Sequence, residues 1–361
     1  MTTKSKLFID VHAIQTLPPS NINRDDTGSP KTAQYGGARR TRVSSQSWKR
    51  AMRKYFAEHS AKNNLGVRTL RIAHYVASKI QELDGTKTSE EALKLAVEVF
   101  KLTKISLKDD KAKALFFLGE QQAKALAQLA LENSKDKEAI NAAIHDNPAI
   151  DVALFGRMVA DDASLNEDAS SQVAHAISTH AVQTEFDFFT GIDDLSPEDN
   201  AGAGMLGTVE FNSSTLYRYA NVAAHDLFRQ LADKEATIKT LKLFVESFAK
   251  SLPTGKVNTF ANQTLPQALV VSIRPDRPIN LVSAFEKPIK SSEGYVVPSI
   301  EKLSIELGKI SKFADDALYT AYVTTEEVEQ LQKIGIEQQS LNELLSNLES
   351  KLHEFMDTVG E

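Results

Sequence analysis

The chain has 361 residues, a net charge of −6, and 42% hydrophobic and 25% charged residues. These are proportions of a soluble globular protein, long enough for two domains or for one domain with a large insertion. It has no cysteine, which excludes disulfides, thiolate catalysis and a cysteine-based zinc site. No apolar run approaches the roughly 18 residues of a membrane span, and MTTKSKLFIDV passes into a strand-like pattern without a signal-peptide core, so a cytoplasmic protein is expected.

Residues 6–14, KLFIDVHAI, read as a buried first strand because apolar residues run on with little alternation. Residues 15–38 read as loop, since PPSNINRDDTGSP is dense in turn formers. The adjacent Asp25 and Asp26 could hold Mg²⁺ beside a phosphate, or serve as turn residues beside Arg24. From Thr27 to Ala57 there is no acidic residue, while Lys31, Arg39, Arg40, Arg42, Lys49, Arg50, Arg53 and Lys54 supply eight positive charges. Tyr35 to Lys54 is expected to form a glycine-broken loop at Gly36-Gly37, a basic strand-like run, and a helix capped by Ser44 or Ser45. With Lys49 at zero, Arg53, Arg50 and Lys54 fall at about 40°, 100° and 140° around that helix. Trp48, Met52, Tyr55 and Phe56 fill the other side. One face would dock on a core while the other meets a polyanion.

Residues 57–150 are expected to be almost wholly helical, with a capping box from Thr88 to Glu91. In DVALFGRMVAD, Arg157 and Met158 beside Gly156 offer a charge and an apolar wedge. His175 and His180 are five apart and do not share a helical face as metal ligands would, so both read as core or surface histidines. Residues 186–212 look like a long hairpin with Phe188, Phe189, Ile192, Met205 and Leu206 exposed for a partner. STLYRYANV reads as a strand, residues 235–252 as a helix and QALVVSIR as a last strand. A C-terminal amphipathic helix should pack. The predicted fold is α+β, a modified ferredoxin-like or RRM-like sheet with a large helical insertion. No RNP1 motif is present, and no G-x-x-x-x-G-K-[ST] cradles a triphosphate.

At NRDD, YGGARRTRVSSQSWKRAMRK, DVALFGRM, SQVAHAISTHAVQTEFDFFTGIDDL, LGTVEFNSSTLYRYANV and SAFEKPIK the sequence resembles the CasC family, the repeated backbone subunit of the type I-E CRISPR Cascade complex. The segments run in order from about residue 7 to residue 300. The resemblance implies a palm in two parts (1–56 and 213–361), helical fingers (57–185) and a thumb hairpin (186–212). It implies copies stacked head to tail along one CRISPR RNA, other Cascade subunits as neighbours, target DNA paired through the guide, and no metal or cofactor.

Carried onto this chain, the resemblance implies that Lys31, Ser44, Gln46, Lys49, Arg50 and Arg53 grip the guide backbone. Lys287 and Lys290 add cationic contacts, and Arg157 and Met158 sit where bases are spread. Phe188, Phe189, Ile192 and Leu206 form the apolar thumb surface. The competing expectation is a metal-dependent ribonuclease of the type III backbone kind, using Asp25 or Asp26.

Overall fold

A computed structural model describes residues 6–60, 65–103, 105–159, 162–191 and 205–357. In chain order the elements are β1 (Phe8–Ser20), β2 (Thr32–Tyr35), β3 (Ala38–Val43) and α1 (Ser45–His59). Next come β4 (Gly66–Thr69), α2 (Ile72–Leu83), α3 (Ser89–Lys101), β5 (Leu107–Lys108), β6 (Lys111–Ala112), β7 (Phe116–Gly119), α4 (Glu120–Leu131), α5 (Lys137–His145) and α6 (Ile150–Phe155). They are followed by β8 (Ser171–Val173), β9 (Ala176–Ser178), β10 (Glu185–Gly191) and β11 (Met205–Ala223). The chain continues with α7 (Ala224–Leu231), α8 (Lys234–Lys250), α9 (Val257–Phe260), β12 (Ala268–Arg274) and α10 (Val296–Leu307). It closes with β13 (Tyr319–Thr324), α11 (Glu329–Gln332), β14 (Ile336–Glu337) and α12 (Leu341–Met356).

The main sheet runs β14-β13-β12-β1-β11-β9-β3-β2, with β8 and β10 also paired to β11. Its centre, β12-β1-β11-β9, is antiparallel throughout. With α1 joining β1 to the β9 side and α8 joining β11 to β12, this is the split β-α-β order expected from the sequence. Leu7, Ile9, Val11 and Ala13 of the first strand's segment point one way, into a core with Met52 and Phe56 of α1, Phe244 and Phe248 of α8, and Leu348 and Leu352 of α12. Ile14, Tyr217, Tyr219, Val270 and Tyr322 point the other way and are covered by Leu281, Phe285, Ile289, Ile300 and Leu303. Both faces are therefore buried, which explains why β1 reads as a nearly unbroken apolar run. The sheet face that an RRM offers to bases is closed by the chain's own residues 281–303.

The expected loop at 15–38 is shorter than the sequence suggests. β1 continues to Ser20, and Pro18 and Pro19 are accommodated because the pairing with β11 shifts register between Leu17 and Ser20. The insertion holds a separate core built from Ile72, Val76, Phe100, Leu126 and Ile144 among others. Thr88 and Glu91 form the expected capping box, Glu91 Oε2 accepting from Thr88 N–H at 2.9 Å. Residues 107–119 are not helical, however. Phe116 and Leu118 enter the insertion core while Phe117 turns to the opposite side, the alternation of a strand, and β7 pairs with β4.

Candidate nucleic-acid interface

The basic stretch folds as the local chemistry demands. Gly36 and Gly37 turn β2 into β3 with φ of +58° and +73°. A Cβ on Gly36 would meet Glu286 O at 1.6 Å, so the turn lies directly against the segment that carries Lys287. Ser44 caps α1, and no acidic residue occupies its first turn. Trp48, Ala51, Met52 and Phe56 are buried, which leaves the cationic side of α1 outward.

Arg40 is fully buried and joins two basic segments. Its guanidinium donates to Ser178 O at 2.9 Å and Phe285 O at 2.8 Å, and more weakly to Tyr35 O and Glu286 O. Ile289 N–H donates to Thr179 O at 3.0 Å beside it. Lys287 and Lys290, both exposed, are thereby held next to β3. Arg218 anchors α1 from beneath, 3.7 Å from the Trp48 ring centroid and 4.3 Å from that of Phe248, and donates to Gln15 and to Phe248 O. Burial pushes its guanidinium down to about 9, so a lysine placed there would not hold its charge reliably.

The two flanks of α1 differ. Toward the insertion, Arg53 donates to Asp151 Oδ2 at 3.0 Å and Gly66 O at 3.1 Å and lies 4.4 Å over the Phe117 ring. Lys49 sits 5.6 Å over Phe155, its ammonium pushed down by burial and then by Arg68. Toward the other side, Arg50 and Lys54 line an open groove of 680 Å³ with Arg24, Lys256 and the 22–28 loop. Arg24, Arg50, Lys54 and Lys256 make no ion pair among the described residues.

At the start of the helix, Ser44 and the exposed Gln46 stand near Lys31 and Arg42. Asn23 Oδ1 accepts from Ser44 N–H at 2.8 Å, Lys31 N–H donates to Asn23 O at 2.9 Å, and Arg42 N–H donates to Lys31 O at 2.9 Å. Those bonds use only the backbones of Lys31 and Arg42.

Arg157 needs correction. It is 4% exposed, and its guanidinium donates to Leu165 O, Phe117 O and Ile144 O. It ties α6 to the insertion, and three of its five N–H donors are spent on these carbonyls rather than left free for bases. Gly156, with φ +74°, makes the tight approach to Glu167 O that this needs. Met158 next to it is 83% exposed.

Asp25 is likewise occupied. Its Oδ1 accepts from Thr27 N–H, Thr27 Oγ1 and Ser29 N–H, bonds that hold the carboxyl below its ordinary range, Thr27 Oγ1 foremost. It closes a turn, as its sequence context also allowed. His180 is buried and stacks on Tyr295 at 3.7 Å.

The hairpin pairs Glu185 to Gly191 with Phe211 to Met205. Phe188 and Leu206, with Phe186, share one exposed face by strand alternation, whereas Phe189 lies on the other, over Gly207. Ile192 lies outside the described residues. β11 is one strand of 19 residues that forms an arm of the hairpin and then runs through the centre of the main sheet.

The fold and this surface define a class, the α+β subunits of CRISPR surveillance complexes. The model of the CT1975-like protein family matches residues 9–347, and the chain belongs to that Cas7/CasC-like family. One solved chain described as "CRISPR RNA-guided surveillance complex, pre-nicking" is 34% identical, with a TM-score of 0.85, the match covering 96% of this chain and 100% of that one. Another, from a "CRISPR RNA-guided surveillance complex", is 30% identical with a TM-score of 0.65, covering 95% and 99%. No curated protein matches significantly. No helix among the described residues is long and apolar enough to cross a membrane.

Proposed function

We propose that this protein is a non-catalytic guide-binding backbone subunit of a type I-E Cascade complex, acting in the cytoplasm. Several copies line one CRISPR RNA, hold its phosphates and leave its bases free to pair with target DNA. The observation that carries this reading is the acid-free series of cations along β3 and α1, to which Arg40 joins the Lys287–Lys290 segment. Such a surface grips phosphates without reading sequence, and specificity is left to base pairing. Lys31, Ser44, Gln46, Lys49, Arg50, Lys287 and Lys290 contact the guide. Arg53 contributes through its place beside Lys49 while it latches α1 to α6. Met158 and the apolar thumb residues Phe188, Phe189, Ile192 and Leu206 meet bases or a neighbouring copy.

Mixing the protein with a repeat-flanked guide RNA and sizing the product by light scattering at two salt concentrations tests the reading. A large ribonucleoprotein with intact RNA, dispersed by salt, is expected. Including Mg²⁺ and running the RNA on a denaturing gel tests the ribonuclease alternative. Even-spaced cleavage abolished by Asp26→Ala would replace the scaffold reading with a catalytic one.

A further inference from the structure

His175 lies between β8 and β9, outside the stretch of sequence that carries the basic charges. Its ring is exposed. Its Nδ1 accepts the backbone N–H of Ser45, the first residue of α1, at 2.9 Å. A ring nitrogen that accepts an N–H carries no proton itself, so in the neutral ring the proton is on Nε2. Nε2 has no partner among the described residues.

The charged groups acting on the ring are Arg42 of β3 and Lys31, both cationic. Burial first, then these two cations, hold the imidazolium below its ordinary range. The ring is therefore neutral at physiological pH, and its Ser45 bond persists there. Arg42 and Lys31 spend no side-chain donor on any protein acceptor among the described residues. Three side chains from separate parts of the chain thus bring unused donors together at the entry to α1, without a carboxylate among them.

We infer that His175 is a further guide-contacting residue, donating from Nε2 as a neutral group to a phosphodiester oxygen held between Lys31 and Arg42. The inference rests on the guide-binding reading and adds a residue to it. Its chemistry differs from that of its neighbours. A cation that neutralises a phosphate releases counterions, whereas a neutral donor adds affinity without doing so.

That difference supplies the test, made by measuring binding of a repeat-flanked single-stranded RNA to the whole chain across a salt series. His175→Asn retains an oxygen near the position of Nδ1, able to accept from Ser45 N–H, and removes the outward donor. It is expected to bind about tenfold more weakly. The slope of log K against log salt and the melting temperature without RNA should stay as in the wild type. His175→Ala should bind as poorly and melt slightly lower. Lys31→Ala and Lys49→Ala, by contrast, should each flatten the slope by about 0.7.

Wild-type binding by His175→Asn would overturn the inference. So would a flattened slope in that variant, because His175 would then act as a cation. If Lys31→Ala and Lys49→Ala also leave affinity and slope unchanged, the guide-binding reading itself fails. Histidine ¹⁵N shifts give a separate check, since an Nδ1-protonated ring in the RNA-free protein contradicts the proposed donor.

Discussion

The two flanks of α1 carry the same charges and use them differently. On the insertion side Arg53 pairs with a carboxylate whose side chain is 2% exposed, and Lys49 lies on an aromatic ring. On the other side Arg50 and Lys54 face an open groove that Asp25 and Asp26 also line, and neither cation makes an ion pair among the described residues. The difference teaches that a cation in a basic motif can belong to the architecture or to the ligand, and that only its neighbours decide. Substitution of Arg53 on the first flank should be read in stability, and substitution of Lys49 or of the second flank in binding.

The largest expected effect tests the architectural flank. Asp151→Ala leaves the guanidinium of Arg53 and the N–H of Gly66 without their acceptor, and should cost about 3 kcal/mol in urea unfolding. Arg53→Ala should cost somewhat less, about 2 kcal/mol, because the stranded carboxyl can take up a proton. Burial already pushes Asp151 up more than Arg53 pulls it down. Equal stability of Arg53→Ala and the wild type would break the distinction between the flanks.

Beneath both flanks, on the covered face of the sheet, Asp10 and His12 provide an interior control. Burial raises Asp10 from 3.8 to about 7, against the opposing bonds from Tyr219 and Ile279 N–H. Below that value the folded state keeps a proton that the unfolded chain has lost, so stability falls as pH rises from about 4 to about 7. Burial, and then Arg274, lower His12 from 6.5 to about 3. There the unfolded chain holds the extra proton, so stability rises with pH from about 3 to 6.5. The two slopes oppose each other in the wild type.

His12→Gln should therefore expose a fall in stability of at most about 1.4 kcal/mol per pH unit between pH 4 and 7, measured by denaturation at a series of pH values. A flat profile in that variant would mean that Asp10 does not keep its proton.

The smallest effect on stability sharpens the comparison from the ligand side. Arg50→Ala should change unfolding by less than about 0.5 kcal/mol. It should nevertheless flatten the salt dependence of RNA binding by about 0.7. A loss of stability like that of Arg53→Ala would place Arg50 with the architecture instead.

Much of this was legible in the residues. The capped basic helix, the Gly36-Gly37 turn, the split β-α-β order and the hairpin arms follow from caps, periodicity and turn chemistry, all of which act over a few residues. The strand at Phe116–Gly119 was hidden because a short apolar run fits a buried helix and a strand alike. The extension of β1 through Pro18-Pro19 was hidden because it rests on an extra residue of β1 being accommodated opposite β11, a partner far along the chain.

The sequence by itself determined where the positive charge lies, which side of α1 is apolar, and that no thiol chemistry is available. Tertiary structure alone decided which cations remain free. Arg157 and Arg53 look as available in the sequence as Arg50, but carbonyls and a carboxylate brought from distant segments claim them. His175 carries no mark of a binding residue until Ser45 fixes its tautomer. The physical reason is that charge is a property of a residue, whereas a free donor is a property of the surroundings that the fold assembles around it.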